Sequence, residues 1–312
     1  MNPPRTIGQV SFDTRHACPA TPSRRTVLAS ATASLAAAAV TGAGGLSLQA
    51  AEAGELHNVV QSGRVRQSVC KWCYGSIPLD ELCVAAKKIG LQSVELLSGH
   101  DIETVKSHGL QCAVVNSHGI TKGLNRIENH EYCLGKIRQG VDEAARYGCP
   151  NVITFSGNRA GMPDDVGLDN CEKALKQVVG YAEKKGVTLI MELLNSKRSH
   201  KDYMCDRTHW GVELVKRIGS ERFRLLYDIF HMQIQEGDVI ATIRENHPYI
   251  AHFHTGGVPG RAEIDDTQEL YYPAIMRAIL DTGYSGFVAQ EFIPRHKDKL
   301  ASLAQGVKIC DV

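Results

Sequence analysis

The sequence predicts a single (β/α)8 barrel, a TIM barrel, preceded by a cleavable signal segment. Three observations lead there. From Val65 onward, eight short apolar or β-branched runs alternate with longer segments of helical period. Several of the helical segments end in a glycine that opens onto the next run, as in Lys88-Ile89-Gly90, Arg146-Tyr147-Gly148, Lys185-Gly186 and Thr282-Gly283. The alternation fills about 240 residues, which is what one closed barrel needs. No GxGxxG follows the first run, which weighs against an open, doubly wound sheet.

In chain order, the first element is the leader, residues 1–53. Ser23-Arg24-Arg25-Thr26-Val27-Leu28 precedes an uncharged, alanine-rich stretch at 29–40, the pattern of a twin-arginine export signal. Ala51-Glu52-Ala53 offers a small-residue cleavage site, with Leu48-Gln49-Ala50 as a competitor. The expectation is a protein exported by the twin-arginine machinery to the periplasm, its barrel domain being 54–312. A disordered alanine-rich extension is the plainer alternative. No cysteine follows the apolar stretch, which argues against a lipoprotein anchor, and no later segment reaches the 18 or so apolar residues of a spanning helix.

The predicted strands are 67–69, 93–96, 112–115, 151–155, 188–191, 223–227, 250–254 and 286–290. Helix starts between them are marked by Pro78 with Asp80-Glu81 before 82–89, by Asp164-Asp165 before 175–185, and by Asp238 before 239–246. Lysine and arginine total 35 against 34 acidic residues, a net charge of +1, so a general nucleic-acid or anionic-membrane binder is not expected. Cys70-Lys71-Trp72-Cys73 is a lone CxxC without a second pair, read as ordinary barrel cysteines rather than a zinc or redox motif. Assembly into a homo-oligomer stays open.

The chemistry gathers in the second half, where four successive strands finish at Glu192, Asp228, His254 and Glu291. Parallel strands in a barrel all point one way, so these side chains are expected to meet at its C-terminal mouth. Singly, each is explained as a helix cap, an ion-pair partner or a core histidine. Together, so many ionisable groups at one rim are costly without a cation. Three carboxylates and one imidazole suit Mn²⁺, Mg²⁺ or Co²⁺. Glu95 and His118, near the ends of strands two and three, either line the mouth or orient a neighbour. Lys71 is read as a solvated loop lysine, and His200 and His209 fall in the long segment after strand five, a candidate lid to which no chemistry is assigned.

Asp228-Ile229-Phe230-His231-Met232, His252-Phe253-His254, Gly257-Val258-Pro259-Gly260-Arg261 and Gln290-Glu291 resemble the xylose-isomerase-like TIM barrels, and most closely the hydroxypyruvate isomerases. The likeness spans residues 65–295, including Trp72-Cys73-Tyr74-Gly75 and Glu269-Leu270-Tyr271-Tyr272. It implies that Glu192 and Glu291 both bind the divalent ion and serve as the catalytic acid/base pair. Asp228 and His254 would complete the ligand set, and His231 and Arg261 would contact the substrate. Arg261 has a second reading, a loop residue paired with Glu263 or Asp265. The implied activity is isomerisation of a small hydroxy-carbonyl or sugar substrate through an enediolate, hydroxypyruvate to tartronate semialdehyde. Many hydroxypyruvate isomerases carry Gln where His254 stands, whereas ketose 3-epimerases carry His, so ketose 3-epimerisation is the alternative. An AP-endonuclease-like nuclease and a non-catalytic exported sugar-binding barrel are the remaining alternatives.

Overall fold

The computed structural model describes residues 55–312; the predicted leader lies outside them. The strands are β1 (Arg66–Cys70), β2 (Ser93–Glu95), β3 (Val114–Val115), β4 (Asn151–Thr154), β5 (Thr188–Leu193), β6 (Phe223–Asp228), β7 (Ile250–Thr255) and β8 (Phe287–Gln290). They form one parallel sheet in the order β2-β1-β8-β7-β6-β5-β4-β3. Its two edges meet through parallel bridges Ser93 to Gln111 and Leu97 to Val115, so the sheet closes on itself. The outer layer consists of α1 (Leu79–Ile89), α2 (His100–Ser107), α3 (His130–Tyr147), α4 (Asp164–Leu175), α5 (Val179–Lys185), α6 (Thr208–Ile218), α7 (Ile229–Gln235), α8 (Val239–Asn246), α9 (Tyr272–Asp281) and α10 (Lys299–Cys310). This is a (β/α)8 barrel.

The local reasons follow the sequence. Strands β4, β5 and β8 are buried along their whole length, as parallel strands covered on both faces must be. Gly90 ends α1 at φ +105°, and its N–H bonds back to the Ala86 and Lys87 carbonyls, a left-handed cap that a side chain would strain. Among the described residues, no helix is long and apolar enough to cross a membrane. The nine cysteines among them are all free and buried.

Three elements differ from the sequence expectation. The regular part of β3 is only Val114–Val115, because Cys112 and Ala113 follow a looser path in which the Ala113 N–H donates to the Ser93 hydroxyl oxygen. The helix expected over 175–185 begins earlier, at Asp164, and breaks between Leu175 and Val179 into α4 and α5. An unexpected short helix, α7, starts directly at the end of β6, where the Asp228 carboxylate accepts the His231 N–H as its cap.

Candidate active site

Each of the four strand-end ligands comes from its own strand. Glu192 is the penultimate residue of β5, Asp228 the last of β6, His254 the penultimate of β7, and Glu291 follows β8 directly. Asp228 and His254 are register partners on neighbouring strands. One ligand atom from each of the four lies within 4.8 Å of all the others, and all four side chains are buried at the C-terminal end of the barrel. Asp228 thus does two things: it caps α7 through Oδ1 and turns Oδ2 toward the cluster.

His254 is held from behind by Glu95. Glu95 Oε1 accepts from His254 Nε2 at 3.0 Å and from His252 Nε2 at 2.8 Å, and all three side chains are fully buried. This places the Nδ1 edge of His254 against Glu291 Oε2 at 2.6 Å and Glu192 Oε1 at 3.6 Å. Despite that closeness, Nδ1 makes no aligned hydrogen bond. A buried ring nitrogen without such a partner, faced by carboxylates and with its other nitrogen fixed by a carboxylate, is the arrangement of a histidine metal ligand. The donor set of three carboxylates and one imidazole therefore fits a hard or borderline divalent cation.

The two glutamates sit in opposed electrostatic surroundings. Burial pushes the Glu192 carboxyl up to about 7. Burial also disfavours ionised Glu291, but the Arg261 guanidinium and His254 beside it outweigh this and hold its carboxyl well below the usual carboxylate range. Trp72, half exposed on the turn after β1, donates its indole N–H to Glu291 Oε1 at 2.7 Å. The sequence offered Trp72 only as part of a motif; its signal is an N–H-bearing aromatic directly beyond a strand end.

Arg261 pairs with neither Glu263 nor Asp265. Its Nη2 donates to Asp228 Oδ2 at 2.6 Å and to Glu291 Oε2, and its Nε donates to the Glu291 carbonyl. A cationic side chain thus lies across two of the four clustered ligands. Glu263 is occupied elsewhere, accepting from the backbone N–H groups of Arg295 and His296 and from the Ser302 hydroxyl. Asp265 accepts from Thr267. Gly257 fixes the loop that carries Arg261 through an antiparallel bridge to Ala262.

His231 lies alongside. Burial pushes its imidazole well below the ordinary histidine range, so the ring is neutral. Asn195 Oδ1 accepts from the Arg198 and Ser199 N–H groups, which leaves its Nδ2 and its backbone N–H both facing His231 Nδ1, at 2.6 and 3.2 Å. Nε2 in turn faces Arg261 Nη1 at 2.9 Å. Both ring nitrogens therefore face donors, and Asp228 Oδ2 lies 3.8 Å from Nε2.

The remaining sequence candidates spread out. His118 is buried beside Phe155, ring centroids 5.9 Å apart, and does not line the cavity over the cluster. Lys71 donates to the Tyr74 carbonyl. His209 is exposed on α6, while His200 lines the cavity with its ring 5.2 Å from that of His231. The segment after β5 is tied down rather than free to swing. Tyr203 is fully buried and donates to the Glu192 carbonyl, and Asp206 is paired with Arg159 and accepts from Gln235. The CxxC thiols are also buried, and burial pushes both Cys70 and Cys73 upward, which keeps them protonated.

Comparison with known proteins bears on the family and the fold. The profile of the family described as xylose isomerase-like TIM barrel matches residues 83–309. A human protein provisionally named hydroxypyruvate isomerase is 29% identical over 168 residues, covering 51% of this chain and 61% of the human protein. Its mouse counterpart, named in the same way, is 25% identical over 248 residues, covering 72% of this chain and 87% of its own length. Among solved structures, 3-keto-D-glucoside 4-epimerase from E. coli superposes with a TM-score of 0.68 at 16% identity, over 78% of this chain and 97% of that one. At that identity the superposition speaks for the fold alone.

Proposed function

The chain belongs to the xylose isomerase-like TIM barrel family, and from that membership we propose that it is a divalent-metal-dependent isomerase moving a proton between adjacent carbons of a hydroxy-carbonyl substrate, with hydroxypyruvate to tartronate semialdehyde as the reaction. The observation that carries the reading is the convergence of Glu192, Asp228, His254 and Glu291 within 4.8 Å at the catalytic end of the barrel. These four would hold the ion. When bound, a divalent cation polarises the carbonyl and hydroxyl oxygens and so acidifies the adjacent C–H.

The chain's own residues supply the proton transfers. Glu192, on β5, and Glu291, directly after β8, stand at one cavity, so one can take a proton from a carbon and either the same carboxyl or the other, once protonated, can give one to the neighbouring carbon, while the hydroxyl proton passes to the former carbonyl oxygen. Without an ion their environments are opposed, one favouring the protonated form and one the ionised form, and a bound cation would favour the ionised form of both. His231 and Arg261 both line the cavity where the substrate is to be held, and the planar fork of Arg261 matches a carboxylate. Trp72 fixes the orientation of Glu291.

Solvent-deuterium incorporation into hydroxypyruvate by the Mn²⁺-loaded protein tests the reading, with fructose and psicose as substrates for the alternative, ketose 3-epimerisation. Glu192→Gln and Glu291→Gln are each expected to reduce exchange by at least about 10²-fold while the fold is kept. Full exchange in either variant would contradict the acid/base pair. Export by the twin-arginine route, which rests on residues 1–53 alone, is a separate proposal. Replacing Arg24 and Arg25 by Lys is expected to retain the protein in the cytoplasmic fraction.

A further inference from the structure

The cavity over the four ligands holds about 610 Å³, and its walls are of two kinds. The ends of β5 to β8 and their loops contribute its charged lining, Glu192, Arg261 and Glu291. The ends of β2 to β4 contribute Leu96, Ile120, Ile153 and Phe155, and Leu194 and Ile293 continue that apolar surface. Asn116 is the one polar side chain of that wall, and one of its two amide N–H groups is given to the Leu96 carbonyl at 2.8 Å.

A three-carbon keto acid has seven non-hydrogen atoms, whereas cavities of this size commonly hold ligands several times larger. Nor does a polyhydroxylated chain suit the wall. Each hydroxyl stripped of water there without a partner costs about an order of magnitude in affinity. Leu96 adds an independent sign: it sits at φ +60°, in the left-handed region that leucine avoids and Gly or Asn accept. The chain keeps a strained leucine at the lip of the cavity, where a relaxed residue would be more polar or smaller.

We infer that, besides the three-carbon acid, the site takes longer α-hydroxy carbonyl compounds, and that among these it favours ones whose end remote from the reacting carbons is aryl or alkyl over polyhydroxylated ones. The inference rests on the charged half of the mouth being the isomerase centre proposed above. The hydroxy-carbonyl head meets Glu192, Glu291, His231 and Arg261, and the tail lies against the wall from β2 to β4.

Two compounds that share the HOCH₂–CO– head and differ in the tail test it: 1-hydroxy-4-phenylbutan-2-one and erythrulose. With the Mn²⁺-loaded protein, deuterium incorporation at the hydroxymethyl carbon is expected to show at least a tenfold higher kcat/KM for the phenyl compound, about 1.4 kcal/mol. Binding is followed separately in the metal-free protein by the change in Trp72 fluorescence, with at least a tenfold lower half-saturation for the phenyl compound. Leu96→Asn suits the left-handed backbone, so the variant is expected to fold, and it should bring both ratios down severalfold. Equal or better use of erythrulose, or ratios untouched in Leu96→Asn, would overturn the inference while leaving the isomerase reading intact. If neither compound nor hydroxypyruvate exchanges deuterium, the isomerase reading fails, and the fluorescence ratio alone decides the tail preference.

Discussion

Replacing Glu95 by Gln should weaken metal binding without touching any of the four ligands. Glu95 Oε1 accepts from both His254 Nε2 and His252 Nε2, at 3.0 and 2.8 Å, from a fully buried position. The glutamine keeps an oxygen at the same place but loses the charge, so two charge-assisted hydrogen bonds become neutral ones of roughly half the strength. The imidazole is then less firmly oriented, and its Nδ1 less basic. Loss of such a supporting carboxylate typically costs 10- to 100-fold in metal affinity, or about 1.4–2.7 kcal/mol. Isothermal titration of chelator-stripped protein with Mn²⁺ measures it, and circular dichroism confirms that the barrel is retained. An affinity within twofold of the parent protein would refute the argument, because His254 would then be held without help from Glu95.

Two further perturbations address the loop after β7. Arg261→Gln removes the cation lying across Asp228 and Glu291, so Mn²⁺ titration is expected to show binding tightened severalfold, while KM for hydroxypyruvate rises; unchanged or weaker metal binding would show that the guanidinium does not compete for those carboxylates. Gly257→Ala places a Cβ against the Glu263 carbonyl oxygen and should destabilise the protein by about 1–3 kcal/mol in urea unfolding, with KM raised as Arg261 shifts; an unaltered unfolding midpoint would mean that the loop yields freely.

The barrel was legible because its signals are local and repeated. Each strand is a short apolar run, and caps such as Gly90 and Gly148 mark where helices stop. The gathering of Glu192, Asp228, His254 and Glu291 could be read from strand-end spacing, since parallel strands bring equivalent positions to one rim. What could not be read depends on contacts between distant segments. Glu95 ends β2 just as Glu192 nears the end of β5, yet only the closed barrel shows that it lies behind His254 rather than in the cavity. Helix α7 has seven residues, too few for a helical period to show, and is nucleated by a cap that doubles as a candidate ligand. Of the two readings of Arg261, pairing with Glu263 or Asp265 falls away, because those acids are already satisfied by other donors, among them backbone N–H groups. The segment after β5 looked like a lid by its length, and its anchor, Tyr203, reaches across to the Glu192 carbonyl.

The nine sealed thiols bear on how this protein survives. While the barrel stays shut, oxidants meet none of them, and no bridge stabilises or strains the native state. Opening exposes the thiols together to one another and to oxidants, so in an aerobic solution non-native bridges make the first complete unfolding a one-way event. Endurance in such a medium is then governed by how seldom the barrel opens, not by how favourably it closes.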